Sequence, residues 1–176
     1  MTKKSIALIG FMATGKTSIG KALTKYLGDR YKFLETDEII IQEAGKSIPR
    51  IFEEEGEETF REYEASTCEK VSKLNKVILS CGGGVVLNKI NINKIKQNYH
   101  IVLLKATTEE IYKRAMKDGK ETRPLINKED PKKEIIKILK LRNQYYADAA
   151  EIVISTTGKK IKEIINEIVK KTLVKT

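Results

Sequence analysis

Gly10-Phe11-Met12-Ala13-Thr14-Gly15-Lys16-Thr17 satisfies the pattern G-x-x-x-x-G-K-[ST] at every fixed position. A loop of this kind has a defined chemistry. Its backbone N–H groups curl around a phosphate, and the N-terminus of the following helix adds partial positive charge. Lys16 is suited to the β and γ phosphates of a nucleoside triphosphate, and the Thr17 hydroxyl to Mg²⁺. A glycine-rich turn that merely opens a helix is the competing reading, and it leaves the Lys-Thr pair without a purpose. The loop by itself does not say which acceptor takes the phosphoryl group.

Acceptor chemistry has to come from residues further along. Glu35-Thr36-Asp37 follows a short apolar run, and in an extended segment residues two apart point to the same side. Both carboxylates are then expected to face one site, one toward a metal and one toward an acceptor hydroxyl. Alone the triplet is a weak signal, because acidic residues at strand ends are commonly just solvated. Phe60-Arg61-Glu62-Tyr63-Glu64 places an arginine in a helical stretch, where a surface position is the ordinary reading. Gly82-Gly83-Gly84 after Cys81 suggests close backbone approach of a ligand, against the alternative of a flexible turn. Cys81 itself reads as a small strand-end residue, with sensitivity to thiol reagents as the sharper alternative. His100, the single histidine, has no acidic or thiol neighbour in sequence and reads as structural.

These residues need a frame. Apolar runs at Ser5–Ile9, Lys32–Glu35, Val77–Ser80, His100–Lys105 and Glu151–Ser155 read as five strands. Helix-period segments lie between and after them, around residues 15–27, 60–73, 108–116, 131–147 and 160–173. In the first, Ile19, Ala22, Leu23, Tyr26 and Leu27 share a face; in the last, Ile161, Ile164, Ile165, Ile168 and Val169 do. Alternating strands and helices predict right-handed crossovers, hence an α/β fold of three αβα layers around a five-stranded parallel sheet. Ligands then belong beyond the carboxyl ends of the strands, where the glycines and carboxylates fall.

The 176 residues suit one domain, and 40% hydrophobic with 33% charged residues is a globular composition. No apolar run is long enough to span a bilayer and no signal peptide opens the chain, so a cytoplasmic protein is expected. Cys68 and Cys81 fit a reduced compartment better than a disulfide framework. The formal charge of +10 invites a polyanion reading, yet the lysines alternate with glutamates and form no basic cluster with aromatics. Neither a nucleic-acid nor a membrane partner is expected, and a monomer is.

Taken in order, the phosphate loop beginning G-F-M, the Thr36-Asp37 pair, the F-R-x-x-E of Phe60–Glu64, the glycine run, Thr122-Arg123-Pro124-Leu125 and Arg142-Asn143-Gln144-Tyr145-Tyr146 resemble the shikimate kinase family over nearly the whole chain. The resemblance implies a single P-loop kinase domain over residues 1–176, with an acceptor-binding helical segment at about 38–64 and a mobile lid at about 113–126. It implies ATP as co-substrate, Mg²⁺ as cofactor, and transfer of the γ-phosphate to the 3-hydroxyl of shikimate. Asp37, Arg61, Gly82, Gly83, Gly84 and Arg142 would hold shikimate, since paired guanidinium forks suit a carboxylate. Lys16, Asp37 and Arg123 would carry the transfer. Ala13, Thr14, Gly15, Lys16, Thr17, Ser18, Arg114, Arg123 and Lys159 would bind the nucleotide, and Thr17 with Glu35 the metal. Gly119 offers a hinge for the lid.

The chain departs from the family pattern in three places. Glu35 stands where Asp is usual, Ala13 replaces a frequent glycine, and the segment from Arg114 to Arg123 is longer. Rival readings are a kinase of another polyol or sugar acid such as gluconate, a nucleoside monophosphate kinase, and a catalytically silent relative that binds ATP or shikimate. A nucleic-acid-binding module is the remotest.

Overall fold

The computed structural model describes residues 3–117, 126 and 129–173. Its elements are β1 (Ser5–Ile9), α1 (Lys16–Leu27), β2 (Lys32–Glu35), α2 (Thr36–Ala44), α3 (Ile48–Glu54), α4 (Gly56–Ser72) and β3 (Val77–Ser80). A 3-10 turn at Val85–Leu87 follows, then α5 (Lys89–Lys96), β4 (Tyr99–Lys105), α6 (Thr108–Lys117), α7 (Pro131–Ala149), β5 (Ile152–Ser155) and α8 (Ile161–Thr172).

The five strands form one sheet in the order β2-β3-β1-β4-β5, and every pairing is parallel. β1 is central and entirely buried, which its uninterrupted Ser-Ile-Ala-Leu-Ile run requires. Its side chains divide by parity. Ile6 and Leu8 pack with α1 and α8, whereas Ala7 and Ile9 pack with residues of α4, α5, α6 and α7. β4 does the same, with Val102 and Leu104 on the first face and Ile101 and Leu103 on the second. Ile40, Ile51 and Phe60 make a smaller third cluster joining α2, α3 and α4.

β3 and β4 flank β1 on opposite sides, so the chain crosses over between them and opens a crevice at the carboxyl end of β1. The loop between β1 and α1 sits there. Gly10 is required at that point: its φ is +142°, and a Cβ would overlap the Leu104 carbonyl of the neighbouring strand.

Several expectations need correction. Glu35 and Asp37 do not share an extended segment, because the chain turns helical at Thr36 and places Asp37 in the first turn of α2. Acidic residues are favoured there by the helix dipole. α5 was not foreseen, and α4 begins at Gly56, earlier than the apolar pattern indicates. Tyr26 and Ile161, grouped with the apolar faces of α1 and α8, are 57% and 44% exposed. His100 does meet an acid: its Nδ1 lies 3.4 Å from Glu151 Oε2, brought there by the strand pairing. Thr122–Leu125, with Arg123, and the Gly119 hinge lie outside the described residues.

Candidate active site

A cavity of about 1140 Å³ opens over the carboxyl ends of the strands. On one side it is lined by Ala13, Gly15, Lys16, Thr17, Ser18 and Arg114, and on the other by Asp37, Arg61, Gly82, Gly83, Gly84 and Arg142, with Glu35 among them. Residues far apart in sequence therefore reach one space. Thr14 does not line it. That side chain is buried and donates to the Phe11 carbonyl at 2.8 Å, which braces the loop from inside.

Lys16 Nζ donates to the carbonyls of Gly10 and Phe11, 2.9 Å each, and so lies folded along the loop. Thr17 Oγ1 donates to Glu35 Oε1 at 2.6 Å, linking the start of α1 to the end of β2. A hydroxyl beside a carboxylate is an oxygen donor pair of the kind Mg²⁺ takes. Among the described residues no cluster of three acidic, His or Cys side chains could hold a metal unaided. Such a pair suits an ion whose other ligands are phosphate oxygens and water.

Asp37 is tied to the glycine run through Thr36. The Gly82 N–H donates to Thr36 Oγ1 at 2.8 Å, and Thr36 Oγ1 in turn lies 3.4 Å from Asp37 Oδ1. A Cβ at Gly82 would overlap Asp37 Oδ1, and one at Gly84 would lie 2.8 Å from Arg61 Nη1. Gly82 and Gly84 thus leave room for the present positions of Asp37 and Arg61, whereas a Cβ at Gly83 would meet nothing closer than 3.7 Å. Burial pushes the Asp37 carboxyl up from its ordinary value, and Lys16 and Thr36 pull only part of the way back. A carboxyl held up in this way, near Lys16, is a candidate for receiving a proton.

Arg61 projects from α4 with Nη1 3.0 Å from Glu64 Oε2 and Nη2 3.0 Å from Glu57 Oε1. Its guanidinium carbon lies 5.2 Å from the Phe60 ring centroid, and Phe60 pairs with Phe52 at 4.7 Å. Glu64 is buried, and desolvation raises its carboxyl against the pull of Arg61. Arg142 Nη1 donates to the Gly83 carbonyl at 3.4 Å, and the Tyr146 hydroxyl to the same oxygen at 2.7 Å. α7 thereby clamps the glycine run from the side opposite Asp37.

Beside the phosphate loop Arg114 joins three elements. It donates to Glu110 Oε1 at 2.8 Å, to the Ala13 carbonyl at 3.3 Å, and to Thr156 Oγ1 and carbonyl at 3.1 and 3.2 Å. Lys159 does not join them: it is exposed and pairs with Glu167 of α8 at 2.6 Å, away from the cavity. Glu57 and Thr156 were not singled out from sequence, and Thr36, Glu64 and Tyr146 stood in the quoted motifs without a role in the site. For Glu57 and Glu64 a signal was present, since carboxylates four before and three after an arginine share its helix face.

A parallel sheet with a phosphate loop at its switch point, facing two arginines and a raised carboxyl, defines a P-loop phosphotransferase for a small anionic acceptor. The family model for shikimate kinases matches residues 12–173, and the chain belongs to that family. It is 40% identical to a shikimate kinase of Caldanaerobacter subterraneus over 95% of both chains. It is 41% identical to one of Enterococcus faecalis over 94% of this chain and 96% of that one. Among solved structures, a shikimate kinase from Acinetobacter baumannii in complex with shikimate superposes with a TM-score of 0.89 at 31% identity, covering 98% of this chain and 94% of the other. A gluconokinase from Sinorhizobium meliloti shares the fold alone, with a TM-score of 0.56 at 15% identity.

Proposed function

We propose that this chain transfers the γ-phosphate of ATP to the 3-hydroxyl of shikimate, releasing ADP and shikimate 3-phosphate. The observation that carries the reading is the single cavity in which Lys16 and Thr17 face Asp37, Arg61, Gly82–Gly84 and Arg142. Arg61 and Arg142 hold the acceptor's carboxylate, and the glycine run lets the ring approach backbone. Asp37 orients the attacking hydroxyl and receives its proton as the O–P bond forms.

Lys16 swings from the loop carbonyls onto the β and γ phosphates, and the N–H groups of Ala13–Ser18 wrap them. Thr17 and Glu35 would hold Mg²⁺, which would neutralise charge on the phosphate oxygens. Arg123 closes from the lid and shields the phosphates from water, while Arg114 borders adenine; residues 113–117, expected as the start of that lid, instead end α6, with Ala115 buried in the core. The chain works as one catalytic domain and as a monomer in the cytoplasm. No helix among the described residues is long and apolar enough to cross a membrane, and both cysteines are unpaired.

The test is ADP release with ATP–Mg²⁺ and shikimate, gluconate or no acceptor, for wild type and Asp37→Asn. Shikimate-dependent turnover that falls by about 10²–10⁴-fold in the variant supports both the reaction and the role of Asp37. Turnover with gluconate alone moves the acceptor. ATP binding without turnover on any acceptor leaves a silent binding protein.

A further inference from the structure

The guanidinium of Arg61 is engaged on two edges, and the two partners are unlike. Glu57 Oε1 accepts from both Nε (3.3 Å) and Nη2 (3.0 Å), so it covers the side-on edge of the fork. Glu64 accepts from Nη1 and has a side chain only 3% exposed, whereas that of Glu57 is 67% exposed. Both Glu57 and Arg61 line the cavity. Releasing Glu64 would strand a buried charge, which is strongly disfavoured; releasing Glu57 sends a carboxylate into water, where it is well solvated.

We propose that Glu57 is an internal competitor for the acceptor's carboxylate, holding the side-on edge of Arg61 until that carboxylate replaces it. The inference rests on the reading of Arg61 as a carboxylate holder. Glu57 stands in for a ligand group: it carries the charge of a carboxylate and takes two N–H donors of Arg61 with one oxygen. Binding an acid acceptor is then an exchange of one carboxylate for another, with Glu64 keeping the arginine in position throughout. The exchange weakens the hold on any ligand bearing the carboxylate. The phosphorylated product still bears it, so the return of Glu57 to Arg61 also favours product departure. An acceptor whose carboxylate is masked gains nothing from the exchange and is indifferent to Glu57.

The test compares dissociation constants by calorimetry for shikimate and for its neutral carboxamide, in wild type, Glu57→Gln and Glu57→Asp. Both substitutions keep a polar side chain at an exposed position of the first turn of α4. Gln removes the charge; Asp keeps it but is one methylene too short to span the turn. Shikimate is expected to bind about two- to threefold more tightly to both variants, the scale of an exposed pair at this spacing, while carboxamide binding stays flat. Equal shifts for the two ligands, an unchanged constant for shikimate, or wild-type affinity in Glu57→Asp would overturn the proposal. Weaker shikimate binding in Glu57→Gln would overturn it too, and would make Glu57 a support for Arg61. Absence of shikimate binding and turnover in wild type would instead sink the function on which the inference rests.

Discussion

Thr17 Oγ1 lies 2.6 Å from Glu35 Oε1, so the hydroxyl of the phosphate loop and the carboxylate ending β2 are in direct contact. The contact depends on the length of Glu35. An aspartate at this strand position is one methylene shorter and would leave room for a water between them. The Thr17 hydroxyl donates in this contact and keeps its own lone pairs for a metal, whereas the Glu35 carboxylate fills the space where a metal-bound water would otherwise sit.

Glu35→Asp is therefore expected to lower the Mg²⁺ concentration that half-saturates turnover. The shorter side chain leaves room for a metal-bound water between the carboxylate and the ion, which Mg²⁺ readily keeps. A Mg²⁺ titration of both proteins at fixed ATP reads this out, and superimposable curves would reject it.

Asp37 carries a stability cost that the proposed role as proton acceptor would explain. Its folded-state carboxyl is raised above the ordinary value of 3.8, chiefly by burial, so ionisation is disfavoured in the folded protein relative to the unfolded chain. The sign follows. The penalty is absent below the ordinary value, grows as pH rises through the raised one, and is fully present above it. Asp37→Asn is expected to melt higher than wild type at neutral pH, with the gap closing in acid, while turnover collapses. Melting curves of both proteins across pH would show it, and a lower melting point for the variant at neutral pH would contradict it.

Cys81 sits next to the glycine run yet is 1% exposed, and desolvation holds its thiol well above the ordinary value. Cys68 is likewise buried, its thiol pushed up to about 12. Neither offers a thiolate at neutral pH. Iodoacetamide is expected to label neither residue in the native protein, with or without shikimate, and both after unfolding in guanidinium. Native labelling of Cys81 that shikimate blocks would restore the sequence-based suspicion of a reactive site thiol.

The strands were legible because a buried parallel sheet needs continuous apolar runs, and Ser5–Ile9 or Val77–Ser80 admit little else. The phosphate loop was legible because its chemistry fixes residue types at fixed spacing. α2 was legible only through the resemblance, which implied a helical segment at about 38–64, since Thr36-Asp37-Glu38 followed by three isoleucines has no helical period of its own. α5 was hidden for a similar reason: in Lys89–Lys96 the isoleucines at 90 and 92 alternate as in a strand, while the helix buries Ile92 and Ile95 and leaves Ile90 63% exposed. Its start is fixed by Asn88, whose side chain caps the Ile90 N–H at 2.9 Å. Lys159 shows the limit for long surface side chains, because nothing in the sequence says that it turns to Glu167 and away from the cavity. Tyr146 was hidden beside Arg142 in one motif. Only the packing of α7 on the loop after β3 reveals that it, too, meets the glycine run.

That contact carries the last prediction. The Tyr146 hydroxyl donates to the Gly83 carbonyl at 2.7 Å from a side chain only 3% exposed, and Arg142 reaches the same oxygen only at 3.4 Å. Tyr146→Phe keeps the ring in the core and removes one hydrogen bond at the middle of the glycine run. Its loss should cost about 1 kcal/mol, and for a chain of this length about 2–4 °C in Tm. It should also be felt in binding, because the run is held between Thr36 and α7 and the shorter of the two hydrogen bonds from α7 is gone. A rise in KM for shikimate with KM for ATP unchanged is the expected signature, since the phosphate loop does not share this hydrogen bond. If Tm falls and both KM values stay at wild type, the hydroxyl serves the fold alone and the glycine run is held in place by Thr36 and Arg142.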